Sequence, residues 1–529
     1  MKKSEKIGLS LSWLIIAVIT SFPYLVGWLN SSNDFFYTGL LIGVEDGNSY
    51  LAKMLAGAKG AWLFKTPYTA FPQKGFLAFF PYLLLGKLVG SDGDYHTRIF
   101  LFHLFRIVGI GFCLYAVYRF ASIFIRETPG RFLALILSTF GGGLGFLYFL
   151  GLNKIWSYLP LEFYSPETFG FLSFLSIPHL VWARGFLFIG LAKFLESNSN
   201  NSLKESVIIG VLWNLLAFMQ PLTVPIGWLI LSAYNLVELV LASRRGFNDL
   251  KKYLHDHMLK LIVIVLVSSP LVIYTFVAFR LDPFLKAWQS QNVILSPPVI
   301  EYFLAYGLII PFAIVGILNN NTRPKFRLLI TWTCLLPFLI YAPYLLQRRL
   351  AEGSFVVLSI LAINGLIHIR NRLGKLWVSW YLINFVTTFT LLAGSLDVIS
   401  AKAFPLYLHK EEVQLFESVR KLIPEQSVVL ADWEISTLLP AHAPVRVIIG
   451  HGPESIRAKL IREQVDLLFL KGNSLEFFKF LKEEQVDYWI LSKSKTPRFM
   501  KPGSEMEFLN KITENSKYII YKVSPIIKN

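Results

Sequence analysis

The chain has 529 residues, 54% hydrophobic and 16% charged, with a formal net charge of +17 and a mean hydropathy of +0.52. A soluble globule carries more charge than this, so the composition argues for a polytopic membrane protein. The excess of Lys and Arg sits in short loops between apolar runs, and no helix-turn-helix or RNA-binding signature accompanies it, which argues against nucleic acid as a partner.

The N-terminus, MKKSEKIG followed by LSLSWLIIAVITSFPYLVGWL, has a basic start, a long apolar run and no small-residue cleavage site. It reads as an uncleaved first span with the N-terminus in the cytoplasm. Apolar runs of about 17–25 residues are long enough to cross a bilayer as helices. They lie near 9–29, 98–122, 131–151, 177–195, 206–221, 223–242, 259–281, 301–318, 327–346, 354–369 and 375–396. The short run 75–90, GFLAFFPYLLLGKLVG, is ambiguous, and charge placement decides it. If it does not cross, the loops KKSEK, 119–131, SNSNNSLKE, SRRGFNDLKKYLHDHMLK, NNNTRPKFR and HIRNRLGK are cytoplasmic, and nearly all are basic, as the positive-inside tendency requires. The expectation is about eleven spans in a multi-pass protein of the plasma (inner) membrane. Its outer loops are then 30–97, 152–176, 282–300 and 347–353, and its C-terminus is extracytoplasmic. Cys113 and Cys334 lie in separate apolar runs and read as small buried hydrophobes, with no disulfide framework.

The first outer loop carries Glu45 and Asp46 in VEDGNSYLAKMLAGAKGAWLFKTPYTAFPQKG. Carboxylates beside a bilayer lose hydration and are kept where chemistry needs them; the pair also suits the first turn of a helix, where the dipole favours negative charge. Tyr50, further along the same stretch, is a candidate substrate contact. Asp94, Tyr95, His96 and Arg98 form a polar knot at the start of the next span, and Arg106 beyond it is deep enough to need a partner, for which an outer-loop carboxylate such as Asp46 is available. The second outer loop adds Glu162 and Glu167, and His179 and Arg184 follow at the start of a span. Gln220-Pro221 marks a helix break, and broken helices at membrane depth often line cavities. Arg348 and Arg349 break the charge rule by lying on the outer face. A guanidinium there is a natural bidentate partner for phosphate, although an interfacial arginine with its stem in the apolar zone has the same signature.

After residue 396 the charge density rises and short apolar strands alternate with amphipathic helices. KEEVQLFESVRKLI, PESIRAKLIREQ and NSLEFFKFLKEEQ read as helices; SVVLA, VRVIIG, VDYWILS and YIIYKV read as strands. Residues 397–529 are therefore expected to form an extracytoplasmic, soluble α/β domain appended to a helical membrane domain over 1–396. In GHGPES at 450–455, Pro453 suits the first turn of a helix, whose amides would bind an anion beside His451; an ordinary strand-to-helix turn has the same signature. No dinucleotide fingerprint and no zinc-type spacing is present.

EDGNSYLAKMLAGAKGAWLF, FPQKGFLAFFPYLLLGKLVG, DYHTRIFLFHLFRIV and QRRLAEGSFVVLSILAINGL together resemble the layout of the GT-C superfamily of integral membrane glycosyltransferases. That superfamily includes protein O-mannosyltransferases, aminoarabinose transferases and oligosaccharyltransferases. The likeness covers residues 1–396, and the C-terminal domain resembles those appended to bacterial relatives. The resemblance implies a fold of many membrane helices and a polyprenyl-phosphate-linked sugar donor. It implies an extracytoplasmic acceptor (protein, glycan or lipid) and a first-loop carboxylate as the acid–base group. That role carries over to Asp46, with Glu45 second. The second outer loop lacks an Asp-x-Asp, which leaves a divalent cation, Mg or Mn, an open question. The chemistry needs a base for the acceptor hydroxyl and cations for the departing phosphate. Arg348, Arg349, Arg184 and His179 are the candidates for the second task. The expected arrangement brings Asp46 and the Arg348-Arg349 pair to one pocket at the outer leaflet. A transporter would show internal repeats with matched broken helices, and none is visible; a non-catalytic envelope scaffold is the other alternative.

Overall fold

The computed structural model describes residues 1–156, 158–197, 202–500 and 506–524. Residues 198–201 of the expected cytoplasmic loop SNSNNSLKE lie outside the described residues. The chain separates into two compact units, each assembled from three segments. One comprises Met1–Pro23, His103–Phe276 and Val293–Asp397; the other comprises Tyr24–Phe102, Val277–Asn292 and Val398–Asn529.

Among the described residues, seven helices are long and apolar enough to cross a membrane: Lys3–Leu29, Tyr95–Phe124, Thr128–Tyr148, Thr223–Ser243, Leu259–Leu281, Gln347–Leu373 and Leu376–Ser400. Val299–Tyr306 and Ile310–Asn320 meet at a 79° bend and make an eighth if they form one broken span. The spans expected near 177–195, 206–221 and 327–346 are present as the helices Pro178–Glu196, Ser202–Met219 and Phe326–Ile340, but none of them is among the seven. Pro178–Glu196 carries Arg184, Lys193 and Glu196, and Phe326–Ile340 has only 15 residues. Cys334, expected to be buried, is exposed on the latter helix, whereas Cys113 is buried.

Burial orders the first unit. Gln347–Leu373 has 94% of its apolar stretch buried and Leu259–Leu281 only 17%, so the former is a central helix and the latter presents its side chains outward. Ser354–Leu373 packs on Ile310–Asn320 through small residues. A Cβ added to Gly316 would lie 2.0 Å from the Leu361 carbonyl oxygen, and one added to Gly365 2.0 Å from that of Phe312. Small residues allow this backbone approach, which is how helices associate in lipid. Gly365→Leu should therefore separate the pair and destabilise the protein by about 1–3 kcal/mol, the usual cost of overpacking, visible as a lower unfolding temperature in detergent. Arg106 is fully buried in this unit, and donates to the hydroxyls of Thr20 (3.0 Å) and Ser21 (2.9 Å) and to the Phe174 carbonyl (2.9 Å).

In the second unit, the ambiguous run 75–90 contains one short helix, Phe80–Lys87, of 8 residues. At about 1.5 Å per residue it is far too short for a bilayer core of about 30 Å, so it does not cross. It lies against the helix Val44–Ala58, where Gly57 approaches the Leu83 carbonyl and Gly86 that of Met54.

The strands are β1 (Phe35–Tyr37), β2 (Tyr407–His409), β3 (Val428–Leu430), β4 (Arg446–Val447), β5 (Tyr488–Ser492), β6 (Leu509–Glu514) and β7 (Tyr518–Val523). β1 pairs antiparallel with β2, with Phe35 opposite His409 and Tyr37 opposite Tyr407. The unit that holds the C-terminal sheet thus also takes in residues 30–97, the stretch expected to form the first outer loop. The sheet has the order β4-β3-β5-β7-β6; β3 is parallel to β4 and β5, while β7 is antiparallel to β5 and β6. Its central strands are apolar on both sides. Val429 and Ile490 enter one core with Leu415 and Leu438, and Leu430 and Trp489 the other with Phe477 and Phe480, as the period of two in a strand dictates. The structure adds β6 and the helix Trp433–His442 to the elements legible in the sequence. The helix expected from Pro453 begins at Ala458, after a series of turns.

Candidate active site

The helix Val44–Ala58 follows Gly43, which sits at φ 62° and brings no capping side chain. Glu45 and Asp46 occupy the uncapped first turn and meet its partial positive charge. The side chain of Asp46 is 56% exposed. Ser49 and Lys53, on the same helix face one and two turns on, are 1% exposed.

Opposite them stands the turn 450–455. Gly450 is required at its start, because an added Cβ would lie 2.7 Å from the Ser436 backbone. Ser455 Oγ accepts the backbone N–H groups of Gly450 and His451, both at 3.0 Å, and the Gly452 N–H donates to the Glu45 carboxylate. The amides expected to bind an external anion are thus engaged within the chain. His451 Nε2 lies 3.3 Å from Asp46 Oδ1, and its ring is 5.3 Å from that of Tyr68.

Beneath His451 is a buried ion pair. Glu454 Oε1 lies 2.7 Å from Lys53 Nζ and accepts from Ser49 Oγ at 2.9 Å; Oε2 accepts from Thr66 Oγ1 at 2.5 Å. Lys53 also donates to Ser49 and lies 4.2 Å from the centre of the Phe79 ring. Burial pushes the Glu454 carboxyl up, but the charges of Lys53 and His451 and the hydrogen bonds from Lys53 and Thr66 hold it below its ordinary value. Burial drives Lys53 down, against the pull of Glu454. For His451, burial acts downward, and Glu454 followed by Asp46 outweighs it, leaving the imidazole above its ordinary value.

The first unit holds the arginine candidates. Arg348 and Arg349 lie in the turn Gln347–Ala351. Arg348 stacks its guanidinium 4.6 Å from the centre of the Tyr164 ring, and Arg349 Nε is 3.3 Å from Glu167 Oε1. The Nε atoms of both are buried without a hydrogen-bond partner. Arg184 is committed to the fold: it binds Glu352 (3.0 Å), Ser173 (3.1 Å) and the carbonyls of Pro166 (2.8 Å) and Glu167 (2.6 Å). Glu162 accepts the N–H groups of Gly143 (3.0 Å) and Gly145 (2.9 Å), and burial raises its carboxyl above the ordinary value.

His179 is the half-buried second residue of Pro178–Glu196, and Gln220 lies in the break between Ser202–Met219 and Thr223–Ser243. In the second unit, Arg98 is fully buried and donates to the carbonyls of Gly93 (3.0 Å) and Leu51 (2.8 Å). Asp94 beside it accepts from the backbone N–H and hydroxyl of Thr97. Tyr50 is enclosed and stacks on Tyr82 at 4.5 Å. Sequence reasoning missed Lys53 and Glu454; the available signal was the polar stripe Asp46, Ser49, Lys53 along one helix face. Among the described residues, no group of three or more His, Cys, Asp or Glu side chains is placed to hold a metal ion.

No protein-family model matches the sequence, and no curated protein does. Among solved structures, the chain is similar to the archaeal oligosaccharyltransferase AglB from Archaeoglobus fulgidus in complex with an inhibitory peptide and a dolichol-phosphate. The TM-score is 0.54 at 13% identity, over 93% of this chain and 70% of that one. The fold is GT-C-like. The Archaeoglobus fulgidus oligosaccharyltransferase in complex with Zn and sulfate gives a TM-score of 0.52 at 13% identity, over 91% of this chain and 67% of that one. ArnT from Cupriavidus metallidurans bound to undecaprenyl phosphate gives 0.49 at 13% identity, over 96% and 98%. At such identities the likeness is one of fold.

Proposed function

We propose that this protein is a membrane glycosyltransferase that moves a sugar from a polyprenyl-phosphate-linked donor to an extracytoplasmic acceptor. The observation that carries the reading is the state of Asp46. It is an exposed carboxylate at a helix start, held through one oxygen by His451, in a unit where Glu454 beside it is buried and paired. The oligosaccharyltransferase of similar fold is complexed with a dolichol-phosphate and an inhibitory peptide, which supports the lipid-phosphate donor class and leaves the acceptor a protein, glycan or lipid.

In this reaction Asp46 takes the proton of the acceptor hydroxyl, the acceptor oxygen bonds to the anomeric carbon, and the carbon–oxygen bond to the lipid phosphate breaks. The phosphate leaves with the electron pair. Arg348 and Arg349 are the candidates to supply the positive charge that stabilises it. Among the described residues no cluster of three or more metal-ligating side chains accompanies Asp46 and His451.

Purified protein in detergent, given a polyprenyl-phosphate donor labelled in the sugar, should release the label from the lipid when acceptor is present; a donor that stays intact with every acceptor class contradicts the proposal. Replacing Arg348 and Arg349 together by Ala should lower kcat/KM for donor by about 10²–10³-fold, the effect of removing a donor aimed at developing charge, as read from initial rates at varied donor concentration.

A further inference from the structure

We infer that His451 is a positioning residue for Asp46, so that the C-terminal domain supplies a part of the catalytic apparatus. The inference rests on the glycosyltransferase reading and adds to it a function for the turn 450–455.

Four observations carry it. First, the contact is aimed: Nε2 faces Asp46 Oδ1 at 3.3 Å, and a bond to one carboxylate oxygen restricts the rotamer. Second, the imidazole is itself fixed from behind. The Tyr68 ring lies 5.3 Å away, and the Tyr68 hydroxyl is anchored on the Thr437 carbonyl at 3.0 Å. Third, His451 Nδ1 is buried and has no hydrogen-bond partner, and the nearest carboxylate oxygen, Glu454 Oε1, is 4.0 Å away. Protonated, that nitrogen is an N–H donor whose nearest carboxylate is that of Glu454, so the ring stands between the carboxylates of Asp46 and Glu454. Fourth, the turn is built to hold this side chain where it stands, with Ser455 bound to the His451 N–H and the Gly452 N–H bound to Glu45, the neighbour of Asp46.

The charged and titratable groups facing His451 are Asp46, Glu45, Glu454, Lys53 and Tyr68. The carboxylates outweigh the desolvation of the ring, so the imidazole carries a positive charge at a pH where a free histidine is already losing it. A cation against Asp46 keeps the carboxylate ionised, the form a base must have to accept a proton.

The test compares His451→Ala and His451→Gln with wild type in full-length protein, by donor turnover across pH and by thermal unfolding. Loss of the ring should lower kcat in the Ala variant by about 10–100-fold, the usual consequence of removing a group that orients another, with KM for donor nearly unchanged. The Gln amide still donates to Asp46 and should recover most of kcat. In both variants the acid limb of the pH–rate profile should move to higher pH, because Asp46 has lost its cationic neighbour and protonates more readily. Wild-type kcat and an unmoved acid limb in His451→Ala would overturn the inference while leaving the transferase reading intact. So would a loss in both variants that follows a lowered unfolding temperature with no recovery by Gln, since that describes a residue needed only for folding. Absence of transfer in the wild-type protein would overturn the transferase reading and this inference with it.

Discussion

Asp46→Asn should leave the protein folded and membrane-inserted and reduce sugar transfer by about 10²–10⁴-fold, the contribution of a positioned general base. The substitution keeps the shape of the side chain and its capacity to accept from His451, and removes only the ability to take a proton. The side chain is 56% exposed at a helix N-terminus, so the stability cost is confined to the lost attraction to the helix dipole, about 0.3–1 kcal/mol. The comparison with Glu45→Gln is the control. Glu45 is bound by the Gly452 N–H, which places it in the architecture of the turn, and its amide variant should retain transfer within about tenfold, a change of no more than about 1.4 kcal/mol in the barrier. Equal losses in the two variants would assign the base role to the pair rather than to Asp46.

The second large effect concerns stability. Lys53 and Glu454 are 1% and 3% exposed, and removing one member of such a buried pair strands the other charge at a cost of about 3–5 kcal/mol. Lys53→Met should accordingly lower the unfolding temperature far more than Asp46→Asn does, and transfer should fall with the folded fraction. Restoring the balance with Lys53→Met plus Glu454→Leu should recover part of the loss, since neither charge is then left unpaired. The pH dependence has a definite sign. The folded-state pKa of Glu454 is depressed, so its contribution is complete above its unfolded value and is lost as pH falls through the folded one. In Glu454→Gln that acid-side loss should shrink, as measured by unfolding temperature against pH.

Local patterns carried much of the architecture into the sequence. The long apolar runs, the basic loops between them and the alternation after residue 396 report on period and composition, and they led to a helical membrane fold with a small C-terminal sheet. The run 75–90 was readable because charge on distant loops constrained it. The site was legible only in part. Asp46 and Glu45 stand out because carboxylates are conspicuous beside apolar helices, and His451 because of the glycines around it. Lys53 and Glu454 do not stand out, because 401 positions separate them and each alone looks like an ordinary polar residue. The partner of Arg184 was hidden for the same reason: Glu352 lies 168 positions away. The helix start expected at Pro453 moved to Ala458 because the turn before it serves Glu45 and Ser455, a tertiary demand that local propensity does not encode.

The most direct measurement uses vesicles containing the purified protein and a polyprenyl-phosphate donor carrying one label on the sugar and another on the lipid. A transferase separates the two labels, with the sugar appearing on the acceptor and one lipid phosphate left behind for each sugar moved, and the Asp46→Asn protein does neither. Labels that stay together, whether carried across the bilayer as a pair or not moved at all, would contradict the account.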